Sequence, residues 1–407
     1  MTFDYTSLLR PNLPPAATRW TGFPEYNFIG GHNDGSAIPV QEFIQCAGSV
    51  LAREGQTLAT YSLESGAQGY LPLREFVANS LNQRAGMHET ADNILLVSGS
   101  LQALDLVHEV FLIPGDTIIA EEACYQGTLQ RYIRSGARAI GAPLDDQGIR
   151  IDALANILSN LKTEGTRPKF IYTIPTIQNP TGTVMPEERR LQLLQLSKDF
   201  DVPIFEDDCY ADLTFNGHRP KSIRALDAEG QVIYCGSFSK TIAPALRVGY
   251  IVADWNILSR LISVKYDAGS SALEQMILGE YCNTHFEDHV VNLAGILKNR
   301  CDVMMEALVA EFGTVADFRS PDGGIFIWVT LPEEVDTLKL SEVAGAEGVA
   351  INPGVDWVVN PETAQNKMRL CFGNASTDEI REGIAKLAQI CHREFGVPLR
   401  SANVERS

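Results

Sequence analysis

The chain has 407 residues, 45% of them hydrophobic and 21% charged, which is enough for two domains, each with its own core. Its 33 basic and 51 acidic residues leave a net charge of −18, which repels nucleic acid and anionic membrane surfaces alike. The eight cysteines are scattered without a CxxC pair, no run of about 18 apolar residues occurs, and MTFDYTSLLR has neither a basic nor an apolar leader region. These features predict reduced thiols in an unexported, cytoplasmic protein.

Residues 1–48 are rich in proline, glycine and aromatics with little periodicity, and are expected to join a small domain and cover the active site. A large domain is predicted over 49–290. It contains short apolar runs that read as buried strands: NILLVSG (93–99), DTIIAEE (116–122), KFIYTIP (169–175), VPIFEDD (202–208), QVIYCGS (231–237) and RVGYIVA (247–253). Helix-period segments separate several of them, LQALDLVHEVFL after the first and PEERRLQLLQLSKDF before VPIFEDD. Repeated strand, helix, strand predicts an α/β fold with a mostly parallel central sheet covered on both faces. Residues 291–407 mix helices (DEIREGIAKLAQICHREF) with short strands (GGIFIWVTL, KMRLCFG), and predict a smaller α/β domain completed by the N-terminal segment. The tail SANVERS reads as frayed.

Ligands of parallel sheets collect where strands end, and four such loops carry distinctive residues. SGSLQ (98–102) opens a helix whose free N–H groups suit a phosphate, although a plain serine-capped turn has the same appearance. TIQNPTG (176–182) sets Asn179 before a proline, where a simple Asn-Pro turn is the alternative. EDDCY (206–210) puts Asp207, Asp208 and Tyr210 at a sheet edge, and aspartates are seldom buried there without a partner. GSFSKTIAPALRVGY (236–250) places Lys240 behind two serines and ahead of Arg247. A lysine for an imine, a carboxylate for a pyridine nitrogen, donors for a ring hydroxyl and a cationic, amide-rich cradle together match pyridoxal 5′-phosphate (PLP).

The wording GYLPLREFVANSL, VSGSLQALDLV, QNPTG, EDDCY, SFSKTIAPALRVGY and MRLCFG resembles the class I/II aminotransferases of PLP-dependent transferase fold type I, most closely the branch of 2-aminoadipate and kynurenine aminotransferases. The likeness runs from about residue 58 to 375. It implies a transferase that moves an amino group from an L-amino acid to a 2-oxo acid through a Schiff base on Lys240, which also shuttles a proton. It implies Asp207 at the pyridine nitrogen, Asn179 and Tyr210 at the ring oxygen, and Tyr125 stacked on the ring. The phosphate would rest on Ser100 and Leu101 N–H groups, Ser237 and Arg247, with Tyr61 reaching it from the partner subunit of a homodimer. Arg369 would fork onto the substrate carboxylate.

Three departures stand beside the resemblance. Leu101 follows the SGS serine where relatives commonly have a polar residue, and Cys209 stands where proline is more usual. FIGGHNDGSAIP (28–39) brings His32, Asn33 and Asp34 to a loop that in the family lies over the substrate; they read either as a polar turn or as residues recognising an unusual side chain. The second possibility keeps open a PLP enzyme of specialised metabolism that diverts the same chemistry to elimination, replacement, cyclisation, oxidation or carbon–carbon bond formation, on an amino acid or S-adenosylmethionine. A transcription regulator built on an aminotransferase-like module is a further class, set against the acidic balance and the lack of a winged helix before the matching region. The histidines show no metal-ligand spacing, and no metal, nucleic-acid or membrane partner is expected.

Overall fold

The computed structural model describes residues 3–9, 13 and 16–400. Seven strands form the central sheet: β1 (Ile94–Val97), β2 (Thr117–Glu121), β3 (Arg138–Ala142), β4 (Ile171–Thr173), β5 (Ile204–Asp207), β6 (Val232–Ser237) and β7 (Gly249–Val252). Their spatial order is β1-β7-β6-β5-β4-β2-β3, with β7 antiparallel to both its neighbours and every other pairing parallel. Apart from the edge strand β3, each is buried along its whole length, which accounts for continuous rather than alternating apolar runs. All six predicted strands are present. The seventh, β3, is RAIGA, a half-buried strand paired only through β2, and its glycine and arginine hide it among loop residues.

The predicted helices appear as Ser100–Phe111, Glu187–Phe200 and Thr377–Phe395, and a 40-residue helix spans Ala272–Glu311. That helix packs against Val40–Glu54, Leu71–Arg84 and Thr377–Phe395, and its buried residues therefore spread around its circumference instead of forming one stripe. A second, antiparallel sheet of β8 (Asp317–Phe318), β9 (Phe326–Thr330), β10 (Asn352–Pro353) and β11 (Lys367–Cys371) runs in the order β8-β9-β11-β10. The start of the chain joins this end of the molecule, since Tyr26–Asn27 pairs in parallel with Val349–Ala350.

Parallel strands β2, β4, β5 and β6, together with β1, end on the same edge of the sheet, and β7 begins there. The loops after them converge for that topological reason. Gly249 opens β7 against Gly99, where an added Cβ would lie 2.9 Å from the Gly99 carbonyl carbon, so the start of β7 cannot carry a side chain there.

Candidate active site

A cavity of about 290 Å³ opens at this edge. Gly99, at φ +76°, caps the helix Ser100–Phe111, whose first residues Ser100 and Leu101 line the cavity with N–H groups that have no intrahelical acceptor. Arg247 adopts the left-handed conformation at φ 53°, which costs on the order of 1 kcal/mol for a residue with a Cβ. This turns its guanidinium back to donate to Ser98 O at 3.1 Å, Pro244 O at 3.1 Å and Ser239 Oγ at 3.4 Å. Ser237 ends β6 with its hydroxyl accepting from Ser239 N–H at 3.1 Å. A guanidinium, two hydroxyls and two free amides thus meet at one end of the cavity, an arrangement that suits a dianion.

Lys240 follows on the same loop. Its ammonium is partly buried, donates to Gly31 O at 2.8 Å and forms no salt bridge among the described residues; desolvation holds its pKa below the usual lysine range. A lysine held so is easily made nucleophilic.

Period-2 alternation separates Asp207, the last residue of β5, from Asp208 just beyond it. Asp208 faces away, accepting from Arg219 at 3.2 Å and from the Tyr234 hydroxyl at 3.1 Å. Asp207 lines the cavity. Its Oδ2 accepts from the Tyr172 hydroxyl at 2.7 Å, while its Oδ1 is buried with no partner, and burial pushes the carboxyl up from its ordinary value. The thiols of Cys209 and Cys235 lie within 4.8 Å of this carboxylate, and Cys209 reaches the cavity wall.

Arg369, on β11 and 3% exposed, comes from the other sheet. It donates to Asn179 Oδ1 at 3.0 Å and to Gly30 O at 2.6 Å, and its guanidinium carbon lies 3.8 Å from the centre of the Trp357 ring. Its Nε is buried without a partner, and it forms no salt bridge among the described residues. Burial holds its pKa below the usual range, so a bound carboxylate would relieve an uncompensated charge. Asn179 donates in turn to the Tyr210 hydroxyl at 3.3 Å. Tyr125 caps the helix Gln126–Ser135 with its ring on the cavity wall, 6.0 Å from Trp357.

Twelve of the residues singled out in the sequence therefore divide cleanly: Ser100, Leu101, Tyr125, Asn179, Asp207, Tyr210, Ser237, Lys240, Arg247 and Arg369 line one cavity, and His32 and Asn33 do not. The backbone of Gly30 and Gly31 occupies the place expected of those two side chains. Asn33 donates to Lys240 O at 3.3 Å and Ile242 O at 3.1 Å, binding the loop to the lysine segment from behind. His32 packs edge-on to Phe23 with ring centres 5.3 Å apart, and Asp34 pairs with Arg300 at 2.8 Å. Tyr61 is 85% exposed and lines a separate groove with Leu58, Tyr70 and Ser270. Sequence reasoning missed Tyr172 and Trp357. Tyr172 shares the facing of a β4 position toward Asp207, which alternation could have indicated; Trp357 lies in a short 3-10 turn, Gly354–Trp357, with no periodic signal.

The aminotransferase class I and II family profile matches residues 31–387. The chain is 36% identical over 373 residues to the aromatic-amino-acid aminotransferase 1 of Thermococcus litoralis, covering 91% of this chain and 88% of that one. It superposes on the kynurenine aminotransferase of Pyrococcus horikoshii with a TM-score of 0.85 at 36% identity, covering 90% of each chain. The α-aminoadipate aminotransferase of Thermus thermophilus, solved with N-(5′-phosphopyridoxyl)-L-leucine, matches with a TM-score of 0.82 at 32% identity over 89% of this chain and 91% of that one.

Proposed function

Because the chain belongs to the aminotransferase class I and II family and is a PLP-dependent aminotransferase of fold type I, we propose that the residues gathered in this cavity carry the transfer from an L-amino acid to 2-oxoglutarate or another 2-oxo acid. The observation that carries the assignment is the meeting of a partly buried lysine amine, a buried carboxylate with one unpartnered oxygen and a buried guanidinium without a carboxylate. The donor set fits the cofactor: Asp207 Oδ1 would accept from its ring nitrogen, Asn179 and Tyr210 would meet its ring oxygen, and Tyr125 would cover its face. Ser100 and Leu101 N–H, Ser237 and Arg247 would hold its phosphate. When bound, PLP supplies a carbonyl that condenses with primary amines and a cationic ring that withdraws electrons.

The protein's own groups supply the rest. Arg369 orients the amino acid by its α-carboxylate, Lys240 Nζ takes the proton from the donor's α-carbon and, in the second half-reaction, delivers one to the α-carbon of the 2-oxo acid, and Asp207 keeps the ring nitrogen protonated. The Gly30–Gly31 segment covers the cavity and excludes water, with Asn33 fixing it to the lysine loop.

The same reading includes a cytoplasmic homodimer with two shared sites and a role in amino-acid metabolism or biosynthesis, with no metal, nucleic acid or membrane partner. Exposed apolar side chains support the dimer: Trp20, Ile44, Leu58, Tyr61 and Tyr266 are 43 to 85% exposed, an area that a partner would cover. No helix among the described residues is long and apolar enough to cross a membrane. The proposed division is 1–48 with the small domain, 49–290 large and 291–407 small, the helix Ala272–Glu311 carrying the chain across. Borohydride reduction of the PLP-loaded protein followed by peptide mass spectrometry should place a phosphopyridoxyl group on Lys240 and on no other lysine. A label elsewhere, or one retained by Lys240→Ala, would sink the assignment.

A further inference from the structure

Glu121 ends β2 one residue before the loop of Tyr125, is completely buried, and is not part of the cavity wall. Its surroundings consist of donors. Oε1 accepts from the Thr173 hydroxyl at 2.6 Å and from Ile174 N–H at 3.2 Å, and Oε2 accepts from the Gln178 side-chain amide at 2.8 Å. No lysine or arginine pairs with it among the described residues. A sheet edge can be closed by apolar residues, and a carboxylate buried without a cation is costly, so what it orients is the question.

The answer lies in the amide of Gln178. Its Nε2 donates twice, to Glu121 and to Ala123 O at 2.7 Å; its Oε1 accepts twice, from Thr181 N–H at 2.8 Å and the Thr181 hydroxyl at 2.7 Å. Two donors and two acceptor positions are all an amide has, and here all four are used. With an acceptor-only carboxylate on one side, the amide has a single orientation. That orientation holds both ends of the loop: the backbone of Gln178 closes the turn by pairing with Thr183 O at 2.8 Å and Gly182 N–H at 2.6 Å, and its side chain ties Ala123 to it. The residue before it, Ile177, sits at φ 56°, a conformation a β-branched residue holds only under constraint. The residue after it is Asn179, whose carbonyl accepts from Arg369 and whose amide donates to Tyr210.

We infer that Glu121 is a positioning residue for the substrate carboxylate site: through Gln178 it sets the place and orientation of Asn179, and through Asn179 that of the Arg369 guanidinium. The inference rests on the aminotransferase reading. Burial pushes the carboxyl up to about 7, so the orienting, acceptor-only form is the one present above neutrality.

The test uses the full-length PLP-loaded protein and four forms: wild type, Glu121→Gln, Gln178→Glu and the double exchange. Glu121→Gln sets one amide against the donors of Gln178, Thr173 and Ile174, so one donor pair must face another. Gln178→Glu sets two carboxylates face to face. The exchange restores a donor opposite an acceptor between positions 121 and 178 with the polarity reversed, and leaves a carboxylate oxygen facing Ala123 O where the wild type has a hydrogen bond. Each single variant should raise KM for both amino acid and 2-oxo acid by about tenfold or more, with kcat changed by less than about threefold and PLP content unchanged; the exchange should have a KM at least about threefold below that of either single variant. Isothermal titration with 2-oxoglutarate reads the same effect as Kd without requiring turnover, so a wild type that binds 2-oxoglutarate but transfers no amino group would defeat the aminotransferase reading while still reporting on Glu121. KM and Kd within about twofold of wild type in Glu121→Gln would overturn the inference. So would losses of kcat, PLP content and melting temperature together that the exchange does not rescue, since they would show a purely structural part.

Discussion

Replacing Asp207 by asparagine should move activity and stability in opposite directions. The carboxylate spends Oδ2 on the Tyr172 hydroxyl at 2.7 Å and leaves Oδ1 buried and unpartnered. Asparagine keeps the shape and can still accept from Tyr172, but it presents an NH₂ to the cofactor's ring nitrogen, which is then favoured unprotonated. A hydrogen bond to a charged group contributes about 1.5–3 kcal/mol, so its loss lowers kcat by about 10- to 100-fold even before the ring loses its positive charge. We therefore expect a total loss of about 100-fold or more in kcat with a smaller change in KM. In the cofactor-free protein the same substitution removes an unpaired buried charge, whose desolvation costs about 1–3 kcal/mol, and should raise stability by roughly that much. Steady-state kinetics with saturating PLP and urea unfolding with and without PLP read both quantities. A kcat within about fivefold of wild type would refute the placement of Asp207 at the ring nitrogen, and a cofactor-free variant less stable than wild type would refute the uncompensated buried charge.

Arg369→Lys keeps the charge but loses the planar fork held by Asn179 and Gly30 and stacked on Trp357, and should raise KM for amino acids about 100-fold with kcat less affected. Tyr61→Ala and Lys240→Ala homodimers should each be nearly inactive, yet a one-to-one mixture refolded together should regain about a quarter of wild-type activity, because half the dimers would hold one intact shared site. No recovery would place Tyr61 outside the partner's site. Glu121 is pushed up to about 7, so the folded chain holds a proton that the unfolded chain gives up in the ordinary carboxylate range. Its contribution to stability is full below that range and is lost as pH rises through about 7, by at most roughly 3 kcal/mol. Urea unfolding at several pH values should show this decline in wild type and not in Glu121→Gln.

Much of this was legible because parallel strands are buried on both faces and so announce themselves as apolar runs, and because a parallel sheet delivers all its strand ends to one edge. Lys240, Asp207, Asn179 and Arg247 could be grouped from that rule alone. Arg369 could not: it arrives from the antiparallel sheet, and only the resemblance to a family tied it to the others. The loop at His32–Asp34 was open to two readings for a related reason. A polar turn and a set of side-chain-recognising residues look alike there, because the partners of Asn33 and Asp34 are Lys240 O, Ile242 O and Arg300, more than 200 residues away, and no local pattern encodes such contacts. Glu121 and Glu122 are adjacent and chemically identical in sequence; only the sheet register sends one to the interior and the other to Asn360 N–H at 2.9 Å on the surface. The strand β3 escaped notice because, unlike the other edge strand β1, it is half-exposed along most of its length and so needs less apolar sequence.

The most direct test of the central claim is a single-turnover measurement on the PLP-loaded protein mixed with a panel of L-amino acids, first without and then with 2-oxoglutarate, following 2-oxo acid and glutamate by chromatography. A donor amino acid should release one equivalent of its 2-oxo acid per site and then stop, and 2-oxoglutarate should restart the reaction with glutamate formed in equal amount. Product formed over many turnovers without any 2-oxo acid, or consumption of the amino acid with no glutamate, would contradict amino-group transfer and assign the cavity to other chemistry.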